Sequence, residues 1–361
     1  MPSSLTDLLG TALPIVQAPM AGSTGSALAI AVSEAGGLGS LPTAMLKPDQ
    51  VRAEVTAIRA GTEHPLNLNF FCHRDEPPTD DAVGSWFDRL DGYFRELGAT
   101  RPAVARAGRS PFDDEACALV EELRPPVVSF HFGLPADRLL DRVRATGARV
   151  LSSATTVAEA RWLAGRGCDA VIAQGVEAGG HRGMFLADEP AAQVGTLALV
   201  PQIVDAVDVP VIAAGGIADG RGLAAALVLG AQGVQLGTAF LRCPEALTSG
   251  LHRQALGGAA DDTTVLTNVL TGRPARSIVN RLIREVGPLA AEALSFPYTA
   301  AGSGPLRVAA EAQGSAEFSP LWAGQAAALA RELPAAEVVR RLVTEAEALL
   351  GRTVTRRAGP A

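Results

Sequence analysis

Short apolar segments alternate along the chain with longer amphipathic segments rich in Ala, Leu, Arg and Glu. Apolar runs of this length predict buried strands, and an apolar residue at every third or fourth position predicts a helix. Strands are predicted at residues 15–21, 37–41, 66–71, 127–132, 149–154, 170–174, 209–214 and 233–241. Helices are predicted at residues 26–35, 48–60, 113–123, 135–146, 156–165, 196–207 and 219–229. This alternation is typical of repeated βα units.

The predicted architecture is α/β, in the form of a closed (β/α)8 TIM barrel. Near-continuous apolar strands indicate a parallel sheet covered on both faces, and eight of them with helices between can close a barrel. A doubly wound open sheet is the rival architecture. It is disfavoured because no GxGxxG motif follows the first strand, and the nearest segment, PMAGSTGS at residues 19–26, has the wrong spacing.

Two segments interrupt the βα rhythm. Residues 73–109, between the third and fourth strands, are predicted to form a helix and a loop over the barrel mouth. After the eighth strand, a small α/β substrate lobe is predicted, with a strand at 263–270 and a helix at 277–286. The tail at 321–350 has helical periodicity and is expected to pack back on the barrel. The predicted domains are a barrel of residues 1–243, completed by helices within 313–361, and a lobe of residues 244–312.

Composition narrows the possible partners. The formal net charge is -7, and proteins that bind nucleic acid through its phosphates need clustered Lys and Arg, so no nucleic-acid partner is expected. No run reaches the roughly 18 apolar residues of a membrane span and the first residues do not resemble a signal peptide, so no membrane association and a cytoplasmic location are expected. The four cysteines lie far apart and no His and carboxylate cluster has metal-ligand spacing, which predicts buried thiols and no metal.

In a TIM barrel, the functional site is built at the C-terminal ends of the strands. The last two predicted strands end in AAGGIADG, residues 213–220, and QLGTAFL, residues 235–241. The glycines in both turns, with Thr238 in the second, leave backbone N–H groups free at the position where such barrels bind a phosphate. The glycines could also serve only tight chain reversal. Phosphate binding is favoured because both turns follow the expected strands.

The sixth predicted strand ends in AQGVEAGGHRGMF, which brings Gln174, Gly179, Gly180 and His181 into one loop. Consecutive glycines allow the backbone to pass close to a flat ligand, and a histidine can act as a base or a hydrogen-bond donor near neutral pH. A lone loop histidine is more often an ordinary surface residue. The position of His181 at a strand's C-terminal end favours function.

Three other strand ends carry candidate residues. Pro19 interrupts the first strand and leaves the backbone of Met20 and Ala21 exposed at the mouth. Asn69, in the third strand, is predicted to be a buried amide whose partners are either the polar edge of a flat ligand or the neighbouring backbone. His131 ends the fourth strand and either lines the pocket or is an interior imidazole satisfied by its neighbours.

Taken together, these motifs resemble the nitronate monooxygenase family, formerly the 2-nitropropane dioxygenases, and its class I branch in particular. The resemblance runs in order through IVQAPMAG, LNLNFFCH, SFHFG, QGVEAGGHRGMF, IAAGGIADGRG, QLGTAFL and PLWAGQAA, so it covers nearly the whole chain. It implies an FMN-dependent oxidation of alkyl nitronates, such as propionate 3-nitronate, by O2 to a carbonyl compound and nitrite. The protein would be a monomer or a homodimer.

The resemblance also implies roles for individual residues. His181 stands at the family's histidine, which positions the nitronate or takes a proton from a neutral nitroalkane, and His131 and Tyr298 are candidate substrate-binding residues. The expected FMN-binding residues are Met20, Ala21, Asn69, Gln174, Gly179, Gly180, Gly215, Gly216, Gln235, Leu236, Gly237 and Thr238, of which the last six hold the phosphate end.

Three alternatives stay open at this point. The first is an FMN-dependent NAD(P)H reductase of the same superfamily, acting on enoyl-acyl-carrier-protein or quinone substrates, since those share the AGGH and AAGGIADG loops. HRGMF and PLWAGQ favour the oxygenase. The second is a sugar-phosphate isomerase or synthase barrel without flavin, and the third is a regulatory barrel that keeps the cofactor but not the activity.

Overall fold

The computed structural model describes residues 4–106, 108–351 and 354. The outermost residues of the two predicted barrel ranges, 1–3, 352–353 and 355–361, lie outside the described residues, as does residue 107 of the predicted insertion. The strands, in chain order, are β1 Ile15–Gln17, β2 Gly39–Pro42, β3 Leu66–Phe71, β4 Val127–His131, β5 Arg149–Ala154, β6 Ala170–Gln174, β7 Gly180–His181, β8 Val211–Ala214, β9 Gly233–Leu236, β10 Thr264–Thr267 and β11 Ala275–Ile278.

Eight of these strands form a parallel sheet in the order β1-β9-β8-β6-β5-β4-β3-β2. The sheet closes on itself between β1 and β2, where Leu38 N–H donates to the Ile15 carbonyl over 2.8 Å and Gln17 N–H donates to the Leu38 carbonyl over 2.9 Å. The predicted TIM barrel is therefore confirmed. Two predicted strands end early: β1 stops at Gln17, shortly before Pro19, and β9 stops at Leu236, where a 3-10 turn at Thr238–Phe240 begins.

Helices surround the barrel. They are α1 Leu5–Leu9, α2 Ser26–Glu34, α3 Pro48–Gly61, α4 Asp80–Leu97, α5 Asp114–Leu123, α6 Asp137–Ala145, α7 Val157–Gly165, α8 Thr196–Val204, α9 Gly220–Val228, α10 Gly250–Gly257, α11 Arg281–Val286, α12 Ala300–Ala312 and α13 Ala335–Leu350. Several begin at a side chain that accepts a hydrogen bond from the first turn, such as Asp113 and Thr156. The main core lies between the barrel and this ring of helices.

The N-terminal end of the barrel is closed by α1. Leu5 and Leu9 are buried against apolar residues inside the strands, among them Val16 and Ile172. Gly233, the first residue of β9, lacks a side chain where Leu5 approaches, because an added Cβ would lie 2.5 Å from its Cδ2. With this end filled, only the C-terminal end of the barrel is left for a site.

The insertion and the lobe pack on each other in a second core. The amphipathic helix α4 buries Trp86, Phe87, Leu90 and Phe94 against residues of α11 and α12. The predicted lobe strand is confirmed as β10. The predicted helix at 277–286 is wrong in its first residues, because Ala275–Ile278 forms the strand β11 between β10 and β7, and the helix α11 begins only after Asn280.

The C-terminal tail returns to the barrel as predicted, although less of it is helical. Residues 321–334 hold one 3-10 turn, Ala327–Leu329, and α13 begins after Pro334. Its apolar face, which includes Val339 and Leu342, is buried in the barrel core beside α9 and α2. The late helix α13 thus completes the ring.

The four cysteines are free thiols that differ in burial. Cys117, Cys168 and Cys243 are buried free thiols as predicted, whereas Cys72 is half-buried. Burial raises the pKa of Cys168 to about 12, so little of this thiol is present as reactive thiolate.

Among the residues described, no helix is long and apolar enough to span a bilayer.

Candidate active site

One large cavity opens at the C-terminal ends of the barrel strands. It encloses about 1300 Å³ of space not filled by protein atoms, part of it open to solvent. The structure brings most of the predicted residues to its wall: Met20, Ala21, Asn69, His131, Gln174, Gly179, Gly180, His181, Gly215, Gly216, Gln235, Gly237 and Thr238.

Two predicted residues do not line this cavity. The side chain of Leu236 is buried in the barrel core, and only its carbonyl, which accepts from Ala18 N–H over 2.7 Å, faces the first strand's loop. Tyr298 is 7% exposed in the lobe core and donates from its hydroxyl to Asp75 over 2.8 Å. Its place beside His181 is taken by Phe296, two residues earlier, whose ring centroid is 5.2 Å from the imidazole centroid.

The phosphate end of the cavity is built mainly from backbone. Strands β8 and β9 are neighbours, with Ala214 opposite Gln235, so the turns that follow them lie side by side on one rim. Gly215 and Gly216 have φ values of 113° and 70°, in the left-handed region that glycine adopts at least cost. Glycine is needed at both positions because other residues adopt these φ values only at a cost in free energy.

Two segments far away in sequence close this end. Thr238 Oγ1 accepts from Gly324 N–H over 2.9 Å, and the Glu177 carbonyl accepts from Gln325 N–H over 2.9 Å. Gly324 has no room for a side chain, because an added Cβ would lie 2.7 Å from the Glu177 carbonyl oxygen. The role of Gly324 was missed, although it lies within the PLWAGQ segment.

A polar edge runs between the two ends. The Gln235 side chain reaches the cavity, and its buried Oε1 has no partner in the described part of the chain. Asn69 donates from Nδ2 to the backbone carbonyl and the hydroxyl of Ser129, which leaves Oδ1 without a partner among the described residues. Buried polar groups are nearly always paired in native proteins, so the Gln235 oxygen fits a polar ligand such as the edge of a flavin, and the Asn69 oxygen lies on the same cavity wall.

His181 is held at the opposite end by a small antiparallel sheet. It lies in β7 opposite Ala275 of β11. Its carbonyl accepts from Gln174 Nε2 over 3.0 Å and lies 3.2 Å from His131 Nε2, and its own Nε2 lies 2.8 Å from Thr271 Oγ1. These contacts fix the imidazole, and its Nδ1 has no partner among the described residues. Thr271 was not predicted.

The imidazoles at this end are neutral. Burial, reinforced by the positive charge of Arg109, holds the pKa of His181 well below its ordinary value of 6.5. Burial likewise lowers the pKa of His131 to about 4. A neutral imidazole can accept a proton, so His181 is in the form that a base requires.

Aromatic rings surround His181. Ring centroids of Phe71, Phe132, Phe296 and Trp322 lie 5.2 to 6.2 Å from that of the imidazole. They come from four distant segments, and the sequence motifs did not identify them as a group. This wall limits the entry of water and leaves room for a small, partly apolar substrate.

A buried cation supports the loop beneath these residues. Arg182 is 0% exposed and donates to the carbonyl oxygens of Gln174 and Gly175 over 2.7 and 2.5 Å, and to Gln193 Oε1. Burial lowers its pKa to about 10, so it stays protonated near neutral pH. Arg182 therefore holds the end of β6 in place under the AGGH loop.

Within residues 4–106 and 108–351, no cluster of His, Cys, Asp or Glu side chains could hold a metal ion. The polar groups of the cavity wall are amides, hydroxyls, backbone groups and neutral imidazoles, together with the guanidinium of Arg109 and the carboxylate of Glu177, which accepts from Thr196. Such a set suits an organic cofactor with a phosphate tail better than a hard cation.

Comparison with known proteins agrees with this geometry. A family model described as nitronate monooxygenase matches residues 2–345. The chain is 44% identical over 348 residues to the nitronate monooxygenase of Pseudomonas aeruginosa strain PAO1, covering 96% of this chain and 99% of that protein. It is also 44% identical to the nitronate monooxygenase of Paraburkholderia phytofirmans, over 95% and 94% of the two chains.

Solved structures agree with the sequence comparison. The nitroalkane oxidase of Streptomyces ansochromogenes has a TM-score of 0.88 and 42% identity, over 97% of this chain and 99% of that one. FabK from Thermotoga maritima is more distant, with a TM-score of 0.75 and 28% identity over 97% and 98%. The chain therefore belongs to the nitronate monooxygenase family of flavin-dependent oxidoreductases.

Proposed function

We propose that this protein binds FMN in the barrel cavity and uses O2 to oxidise alkyl nitronates, of the propionate 3-nitronate type, to a carbonyl compound and nitrite. One observation carries the proposal: a single cavity joins two glycine turns on neighbouring strands to a fixed, neutral His181. The first feature suits a phosphate and the second suits a nitroalkane or its anion.

The residues present fit FMN. Gly215, Gly216, Gly237 and Thr238 would hold the phosphate through backbone N–H groups and the threonine hydroxyl. The Gln235 and Asn69 side-chain oxygens, which have no partner among the described residues, would accept from N–H groups of the cofactor, with Met20, Ala21, Gln174, Gly179 and Gly180 along its ring. When bound, the flavin supplies the electron transfer from nitronate and to O2, and the protein supplies binding and orientation.

His181 has two tasks in this proposal. For a neutral nitroalkane, an unprotonated ring nitrogen accepts the proton from the carbon next to the nitro group. The product of that step is the nitronate anion. For a nitronate already formed, no proton has to move, and the imidazole only orients the substrate. The 2.8 Å contact with Thr271 sets the ring's position in both cases.

Purified protein tests the proposal directly. We expect a yellow protein whose released cofactor has the mass of FMN, and whose visible spectrum changes on anaerobic addition of ethyl nitronate but not of NADH. In air, the same substrate should consume O2 and release nitrite. Bleaching by NADH alone would instead assign a reductase, and a colourless protein that binds no FMN would assign a barrel without flavin.

Location and assembly are separate predictions. The cytoplasmic location is tested by cell fractionation, and the monomer-or-homodimer expectation by light scattering on the purified protein.

A further inference from the structure

Arg109 lines the same cavity, although it lies outside every motif that predicted the site. It comes from the segment between α4 and α5, at the end of the predicted insertion. Among the described residues, its buried Nε has no hydrogen-bond partner, and its Nη2 has only the sulfur of Met45 at 3.8 Å. A guanidinium carries five N–H donors, so most of its hydrogen-bonding capacity is unused.

Within the part of the chain that the structure describes, no negative charge compensates Arg109. Burial alone lowers its pKa, and none of the described carboxylates forms an ion pair with it. Asp75, in the neighbouring loop, instead accepts from the Tyr298 hydroxyl. The Phe296 ring, whose centroid is 5.6 Å from Arg109 Cζ, offers only a weak cation–π contact. A half-buried cation without a partner is costly, and an anionic ligand would offset that cost.

Arg109 lies at the substrate end of the cavity. Its charge acts on His181, and Phe296 contacts both, with its ring centroid 5.2 Å from the imidazole centroid. The glycine turns that suit a phosphate follow β8 and β9, whereas Arg109 stands with the aromatic residues around His181. The anion that it faces is therefore part of the substrate.

We infer that Arg109 is a specificity-determining residue of this chain, which binds the carboxylate of a substrate of the propionate 3-nitronate type. A guanidinium matches a carboxylate with two parallel hydrogen bonds, which gives it geometric selectivity as well as attraction. This inference rests on the proposed function, since it names the residue that recognises the carboxylate of the substrate type proposed there.

Steady-state kinetics on two substrates test it. Propionate 3-nitronate carries the carboxylate, and ethyl nitronate lacks it. In Arg109→Gln, we expect kcat/KM for propionate 3-nitronate to fall about 10- to 100-fold, mostly through KM, as for a lost hydrogen bond between charged groups. Ethyl nitronate should change less than about threefold, and Arg109→Lys should restore part of the loss. Arg106→Gln, an exposed charge in the same segment, is the matched control and should leave both values unchanged.

A binding measurement gives a second readout without turnover. Succinate has the charge and length of propionate 3-nitronate, with a carboxylate in place of the nitronate group. We expect it to perturb the flavin spectrum of the oxidised holoprotein, and Arg109→Gln to weaken this binding at least tenfold while Arg106→Gln leaves it unchanged.

The outcomes separate the two proposals. If the wild-type protein oxidises neither propionate 3-nitronate nor ethyl nitronate, the proposed function fails, and succinate binding still decides whether Arg109 holds a carboxylate. If ethyl nitronate is oxidised but Arg109→Gln lowers both substrates equally, or succinate binds the variant as well as the wild type, the assigned role of Arg109 is overturned.

Discussion

The two ends of the cavity are lined by different kinds of chemical group. At the β8–β9 end, the wall consists largely of backbone in two adjacent glycine turns. At the His181 end, it consists of side chains from distant segments, held by the small sheet of β7, β10 and β11. Backbone groups suit an invariant phosphate, whereas side chains can vary with the substrate. Changes at the first end should therefore alter cofactor retention, and changes at the second should alter turnover.

The sharpest test of this division is His181→Asn. We expect the turnover of neutral nitroethane to fall by about 10²- to 10⁴-fold, the range for loss of a general base, with a much smaller fall for preformed ethyl nitronate. Flavin content should stay at the wild-type level. The exposed His64 offers a control, since His64→Asn should change neither rate. Equal losses on both substrates would remove the base role from His181.

At the phosphate end, Gly216→Asp should expel the cofactor. An added Cβ would lie 3.4 Å from that of Glu177, and φ is 70°, which Asp and Asn tolerate better than most residues. A carboxylate about 4 Å from a phosphate repels it by about 4 kcal/mol at an effective dielectric constant of about 20. We expect the FMN dissociation constant, measured by fluorescence titration, to rise by about 10²- to 10³-fold.

Gly216→Asn is the matched control, because it adds nearly the same volume without the charge. It should lose much less affinity than Gly216→Asp. If both variants keep wild-type occupancy, the phosphate is not at this turn.

Acid should affect the His181 end through its imidazoles. The pKa of His131 is about 4 in the folded protein and about 6.5 in an unfolded chain. Between these values the unfolded chain binds the proton and the folded chain does not, so the free energy of unfolding falls as the pH drops from about 6.5 to about 4. Above pH 6.5 this contribution is constant. The two values imply a loss of about 2 to 3 kcal/mol between pH 7 and pH 4.5.

Urea unfolding of the wild type and His131→Gln measures this contribution. The difference between the two curves reports the titration of His131 together with the effect of its charge on His181. The wild type should lose about 2 to 3 kcal/mol more than the variant. Parallel curves would mean that folding leaves the pKa of His131 unchanged.

The smallest expected effect is that of Thr238→Val. Its hydroxyl accepts from Gly324 N–H, and its own proton remains available for a phosphate oxygen. Losing one charge-assisted hydrogen bond should weaken FMN by about 1.5–3 kcal/mol. Thr238→Ser keeps the hydroxyl and should bind FMN as the wild type does. Unchanged affinity in Thr238→Val would place the phosphate elsewhere.

The same division explains what the sequence could predict. The barrel and the glycine turns follow from local patterns, namely apolar runs and GG or LGT at strand ends. The strand β11 could not be predicted from a local pattern. Its residues resemble the beginning of a helix, and they form a strand because they pair with Gly180, His181 and β10. Which of Phe296 and Tyr298 lies beside His181, and where Arg109 lies, depend on how the lobe packs on the rest of the protein. No local sequence pattern indicates this packing.

A crystal structure of the holoprotein would test the central claim most directly. The account predicts one FMN whose phosphate oxygens lie about 3 Å from backbone nitrogens of the turns at Gly216 and Thr238, with the flavin ring extending toward His181. A phosphate bound at another rim of the barrel, or a ring separated from His181 by protein, would contradict it.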